Sequence, residues 1–132
     1  MKKRTKIRKK SVSKLKKDCD ELVKNIIKIR DKNICQKCDK YCEGSDCHGS
    51  HVIPVSAGNK LAFDDLNLKV LCYHCHMNWW HKDPTAAGIW FKEKFPERHE
   101  YLQNNRGIKQ MKYGDWQELK DALQKRITEI QN

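Results

Sequence analysis

The sequence predicts an α+β fold: a small strand-and-helix centre stapled by a four-cysteine zinc site, with helices flanking it. Three observations carry this reading. Two Cys-x-x-Cys pairs, Cys35–Cys38 and Cys72–Cys75, stand 33 residues apart. Short apolar runs separated by turn residues fill the stretch between them, as strands would. Apolar residues at three- and four-residue spacing mark helices before and after it.

A chain of 132 residues has room for one domain with a modest core and a helical appendage. The reading divides it into a basic flexible arm at 1–12, a centre with its leading and following helices at 13–99, and a helical C-terminal appendage at 100–132. No run of eighteen apolar residues is present, so no membrane span is expected. The basic start lacks the apolar stretch of a signal peptide, which points to the cytoplasm.

The net charge of +11 is unevenly spread. Residues 1–17 hold ten Lys or Arg and no acid, while the rest of the chain has a net charge of +1. A cationic segment of this kind expects a polyanion. Lys2, Lys3, Arg4, Lys6, Arg8, Lys9 and Lys10 are therefore the candidate residues for binding a polyanion such as a nucleic acid, and a solvated tail is the alternative.

Taken in order, the first helix begins near Ser13, with Leu15, Cys19, Leu22, Val23, Ile26 and Ile27 on its apolar face. Arg30-Asp31-Lys32-Asn33 forms a polar turn. His51-Val52-Ile53-Pro54-Val55 reads as a strand and Ser56–Lys60 as turn residues. Leu68–Leu71 supplies a second strand or leads directly into a helix bearing Cys72 to His81. Asp83-Pro84 is a helix start, Asp as N-cap and Pro at the first helical position. Ala87, Trp90, Phe91 and Phe95 follow until Pro96 breaks the run. Asp115–Ile130 closes the chain as an amphipathic helix.

Seven cysteines without an export signal favour metal over disulfides in a reducing compartment. Cys35, Cys38, Cys72 and Cys75 can close one tetrahedral structural Zn²⁺ site. Unpaired buried thiols are the alternative, and Cys42, Cys47 and His74 lie near enough to exchange as ligands. Cys19 sits at a helix core position as a small hydrophobe.

Five histidines (His48, His51, His74, His76 and His81) fall within 34 residues, too dense for packing alone. Here a resemblance becomes specific. Ile29-Arg30-Asp31, Cys35-x-x-Cys38, His51-Val-Ile-Pro, Asn67 and Leu71-Cys72-x-x-Cys75-His76 resemble the zinc-containing branch of the HNH (ββα-metal) endonucleases. His48-Gly-Ser-His51 with Phe63-Asp-Asp-Leu-Asn67 is similar to phage recombination nucleases of the NinG type.

The resemblance implies a ββα-metal centre and metal-dependent cleavage or nicking of DNA, leaving 3′-hydroxyl and 5′-phosphate ends. It implies His51 as general base and Asn67 as the residue bracing the loop that faces it. His48 and His76 would hold a catalytic Mg²⁺ or another divalent cation. Two departures stand out. Ser50 occupies the place immediately before the base, where a first ligand is common. The second helix ligand falls at His81, five residues after His76, which is about 140° round an ideal helix. His81 can join only if the helix ends or bulges there; Asn78 is the alternative. His74 is a surface group of the knuckle, His99 has no role, and Trp79-Trp80 is read as packing in preference to base stacking.

The resemblance also suggests a phage or mobile-element source, acting in the cytoplasm of an infected bacterial host, with packaging or recombination proteins as partners. Rival readings stay open. One is a junction-processing recombination nuclease; another is a non-catalytic zinc DNA-binding module. A third is a packaging protein that docks through its C-terminal helix. Sequence preference, nick against double-strand cut, the physiological metal and oligomeric state are not legible.

Overall fold

The structure, a computed structural model, describes residues 2–131, with side chains from Ser11 onward. Its elements are α1 (Lys2–Asp31), β1 (Cys47–His51), β2 (Leu68–Cys72), α2 (Tyr73–Cys75), a π-helical turn (His76–Trp80), α3 (Pro84–Lys94), α4 (Pro96–Asn104) and α5 (Tyr113–Gln131). The chain forms two compact units: residues 1–26 with 110–132, and residues 27–109. The sequence reading drew its divisions at 12/13 and 99/100. The structure groups by contact, and the first unit unites segments from opposite ends of the chain. No helix among the described residues is long and apolar enough to cross a membrane.

In the first unit, Leu15, Cys19, Val23 and Ile26 are buried along α1, as are Trp116 and Leu123 of α5. The Cys19 thiol donates to the Trp116 carbonyl at 3.9 Å, and Lys120 pairs with Asp18 at 3.1 Å. Burial, and then Asp18, raise the Cys19 thiol above its ordinary range, so it stays an uncharged packing group. The backbone is helical from Lys2, where the sequence reading put a flexible arm up to residue 12. Residues 2–12 contain neither Gly nor Pro, and their Lys and Arg residues are good helix formers. The side chains of Lys2, Lys3, Arg4, Lys6, Arg8, Lys9 and Lys10 fall outside the described residues.

The second unit takes in the C-terminal end of α1, from Ile27 onward. Lys32 is left-handed at φ 58°, and the Asn33 N–H reaches the Lys28 carbonyl at 3.0 Å while the Lys32 N–H reaches Ile29 at 3.3 Å. That pair of bonds is the Schellman pattern that satisfies carbonyls at a helix end. The chain then turns back, the Cys35 N–H donating to the Lys40 carbonyl at 2.8 Å, and an isolated bridge joins Ile34 to Tyr41.

β1 and β2 pair antiparallel without a bulge, Cys47 opposite Cys72 through His51 opposite Leu68. The sequence placed the first strand at 51–55, whereas it ends at His51. Pro54 has no N–H to give a ladder, and the N–H groups of Val52 and Ile53 are taken by Asn67. β2 is buried along its whole length and recruits the weakly strand-forming Cys47–His51 as its partner.

Two arginines converge on the turn before β2. Arg30, paired with Asp31, donates to the Asp65 and Leu68 carbonyls at 2.6 and 2.7 Å. Arg98 donates to Leu66 and Leu68 at 3.0 and 2.8 Å. Burial, and then the neighbouring Arg30, push Arg98 down to about 10. Asp31 also accepts the Val70 N–H at 2.9 Å. Asp83 caps α3 through the Ala86 N–H, as its sequence position predicts. Pro96, which ends α3, also opens α4. The core of this unit is Ile53, Leu61, Phe91 and Leu102, with Trp80, Trp90 and Phe95 packed against it.

Candidate metal and nuclease centre

The two Cys-x-x-Cys pairs meet. Cys35, Cys38, Cys72 and Cys75 place their sulfurs within 4.8 Å of one another, and Cys38 and Cys72 are 3.8 Å apart. A tetrahedral zinc with Zn–S bonds of about 2.3 Å requires sulfurs about 3.8 Å apart. Cys38 and Cys72 already stand at that separation, and all four sulfurs lie close enough to share one ion. Burial opposes ionisation of Cys35, but N–H donation from the Cys38, Cys72 and Lys37 backbone brings it below its ordinary value. Burial raises Cys38 and Cys75, as expected where neighbouring thiols compete to ionise without a cation.

The rival ligands lie elsewhere. The Cys47 thiol faces the Asn33 side-chain oxygen at 3.7 Å, and Cys42, by burial and its contact with Cys47, is pushed up to about 12. His74 is exposed, with its Nδ1 3.4 Å from Asn78.

Three of the sequence-predicted histidines come together beside this cluster. His48 Nδ1 faces His76 Nδ1 at 2.8 Å, and His81 Nε2 faces His76 Nε2 at 3.0 Å. The π-helical turn makes the second contact possible. The His81 N–H bonds to the His76 carbonyl at 3.1 Å, closing an i to i+5 turn, so His81 stacks one turn beyond His76. His48 Nε2 is 2.8 Å from the Ser45 carbonyl. A carbonyl only accepts, so that nitrogen carries the proton and Nδ1 holds the lone pair aimed at His76. His76 thus meets one histidine with each ring nitrogen. Among the described residues, only the four cysteines bring at least three Cys, His or acidic ligand atoms so close together.

His51 lies on the same strand as His48, three residues on. Because the ladder is unbroken, the two project to opposite faces. His51 Nε2 is 2.9 Å from the Ala62 carbonyl, which makes Nε2 the N–H and Nδ1 the lone-pair nitrogen of the neutral ring.

Asn67 bonds to the residue that precedes Ala62. It is fully buried; its Oδ1 accepts the Ile53 N–H at 2.8 Å, and its Nδ2 donates to the Ile53 and Leu61 carbonyls at 3.0 and 3.1 Å. Leu61 adjoins Ala62, so the amide locks both the exit of β1 and the loop that faces His51.

Sequence reasoning missed two side chains here, Ser50 and Lys69. Both are buried, paired across the hairpin and bonded at 3.2 Å. Ser50 stands among the polar residues of Cys47–His51 and carried no signal, and Lys69, the single polar residue of Leu68–Cys72, was visible as an exception but not as a buried one.

A two-stranded hairpin is followed by a helical segment bearing histidine, beside a cysteine cluster able to hold zinc, and this is the arrangement expected of a ββα-metal centre. Residues 35–78 match the family model for HNH endonucleases. That span contains all four cysteines, His48, His51, Asn67 and His76, and the match supports a nuclease activity. Comparison with curated proteins and with solved structures gave no significant match.

Proposed function

We propose that this protein is a metal-dependent DNA endonuclease that hydrolyses phosphodiester bonds, with His51 as general base. The facing Nδ1 atoms of His48 and His76, 2.8 Å apart, are the observation that carries the reading. Two imidazole nitrogens aimed at one another off a strand and a helix form a ligand pair for a divalent cation. Bound there, the cation would neutralise charge building on the phosphate and on the leaving oxygen.

The donor set is nitrogen, which suits Zn²⁺, Mn²⁺ or another transition ion better than Mg²⁺, an oxygen-preferring ion. His81 holds the far nitrogen of His76. This is how a ligating histidine is kept in one orientation and tautomer. Its own entry as a ligand would require His76 to turn.

At His51, Nδ1 takes a proton from water as the water oxygen bonds to phosphorus. The charge gained by the ring is stabilised by the Nε2–H bond to the Ala62 carbonyl. The bond from phosphorus to the 3′ oxygen breaks, and that oxygen takes a proton from solvent. Asn67 keeps the carbonyl, and through it the tautomer, fixed. Zn²⁺ at the four cysteines fastens Cys75, adjacent to His76. Lys2, Lys3, Arg4, Lys6, Arg8, Lys9 and Lys10 supply nonspecific attraction to the phosphate backbone.

The test is nicking of supercoiled plasmid across Mg²⁺, Mn²⁺ and Zn²⁺, with single-turnover rates. His51→Ala should lose about a hundred- to ten-thousand-fold with fold, zinc and DNA affinity intact. His76→Ala should lose activity together with the catalytic ion and recover in part with excess metal. Wild-type rates in His51→Ala would overturn the reading.

A further inference from the structure

Lys69 lies at the middle of β2 and is fully buried, as few lysines are. Its Nζ donates to Ser50 Oγ at 3.2 Å and sits 3.2 Å from the centroid of the Trp80 ring, with the Phe91 ring at 6.0 Å. Among the described residues no carboxylate forms an ion pair with it. Burial, and then Arg98, hold its ammonium well below the usual lysine range against the opposing pull of Asp31 and Cys35.

These contacts are costly to bury and are not needed for packing. An apolar side chain of similar length opposite an alanine would fill the same space without a desolvated amine or hydroxyl. Replacing both members of a buried polar pair by apolar groups is often neutral or stabilising. What the pair does is join two particular neighbours. Ser50 immediately precedes His51, and Trp80 immediately precedes His81. Ser50 lies on the hairpin face of His48, opposite that of His51. Trp80 is the last residue of the π-helical turn.

We propose that Lys69 is a positioning residue of the nuclease centre, tying the strand that carries His48 and His51 to the π-helical turn that aligns His76 with His81. The inference rests on the nuclease reading for its purpose but not for its measurement.

The probe is Co²⁺, added to zinc-loaded protein and followed by its visible absorption. Nitrogen-bound cobalt lacks the thiolate charge-transfer bands that exchange into the cysteine site would produce. The decisive variant is Ser50→Ala/Lys69→Met, in which neither polar partner is left orphaned. It should keep its zinc and melt at or above the wild-type temperature. Its Co²⁺ affinity at the histidines should fall about tenfold to a hundredfold, the usual effect of removing a group that orients a ligand. Lys69→Met alone should show the same metal defect with lower stability, because Ser50 Oγ is then unpartnered.

A double variant that binds Co²⁺ like wild type would reduce Lys69 to filler and overturn the proposal. A double variant that fails to fold would overturn it too, by assigning the pair to stability. Plasmid nicking separates the two readings. If wild type does not cut yet the double variant loses Co²⁺ affinity, the nuclease reading fails and the positioning role stands.

Discussion

Replacing Asn67 by alanine removes three hydrogen bonds at once from a site that water does not reach. The Ile53 N–H, the Ile53 carbonyl and the Leu61 carbonyl lose their amide partner. Each buried group left unsatisfied costs about 1–3 kcal/mol. The Leu61 carbonyl still accepts the Asp64 N–H at 3.2 Å, so the cost falls on the two Ile53 groups, the carbonyl at the low end, and a total of about 2–4 kcal/mol is expected. For a domain of this size each kcal/mol lowers Tm by about 4–8 °C, so the variant should melt about 8 °C or more below wild type. The assay is thermal unfolding of zinc-loaded protein, paired with single-turnover plasmid nicking at a temperature where both proteins are folded. Nicking should fall at least about tenfold, because freeing Leu61 also frees the Ala62 carbonyl that selects the His51 tautomer. Asn67→Asp separates hydrogen bonding from cavity formation. It keeps the volume and the acceptor for Ile53 but sets a carboxylate oxygen against two carbonyls. Folding then favours the protonated acid, raising its pKa above the unfolded value. The variant should therefore lose stability relative to wild type as pH rises through that window, and regain it on acidification. Wild-type melting and nicking in Asn67→Ala, or a pH-independent Asn67→Asp equal to wild type, would refute the bracing argument.

Three other outcomes are expected. The purified protein should carry about one tightly bound zinc per chain at Cys35, Cys38, Cys72 and Cys75, and Cys35→Ser or a strong chelator should unfold residues 27–109. Elemental analysis and circular dichroism check this. Deleting residues 1–12 should weaken DNA binding for all sequences and flatten the dependence of log affinity on log salt, since fewer counterions are released. Equal slopes would make the segment a solvated one. His81→Ala should weaken the catalytic ion about tenfold to a hundredfold without touching zinc content; metal titration of nicking reads it, and an unchanged affinity would remove His81 from the centre.

The parts of the centre that were legible are those written in short-range chemistry. Paired Cys-x-x-Cys spacing is that of a tetrahedral metal site, so Cys35–Cys38 and Cys72–Cys75 announced their meeting across 33 residues. Asp83-Pro84 announced a helix start because cap chemistry is local. What was illegible depends on tertiary choice. Val52 and Ile53 are strong strand formers, yet Asn67 captures their N–H groups, and the weaker Cys47–His51 takes the ladder instead. Nothing in His-Met-Asn-Trp-Trp-His marks a π-helical turn, so the standing of His81 could be framed only as a condition on local bulging. Lys69 is the extreme case. A lone lysine in a strand reads as its solvent face, and only the fold reveals a side chain sealed beneath Trp80.

The widened turn at His76–Trp80 also bears on how this centre tolerates length change. A π-helical turn holds one more residue than the α-helical turn it replaces. Removing a single residue from Met77-Asn78 should therefore close the segment into ordinary α-helix and leave the two histidines four apart, on one face. In most helices a one-residue deletion swings everything downstream by about 100° and scrambles the faces. Here the surplus residue is already present, so the deletion would bring the second histidine back into step. The spacing that looks irregular in the sequence is thus one indel away from the commonplace i, i+4 pair, with the bulge absorbing the difference.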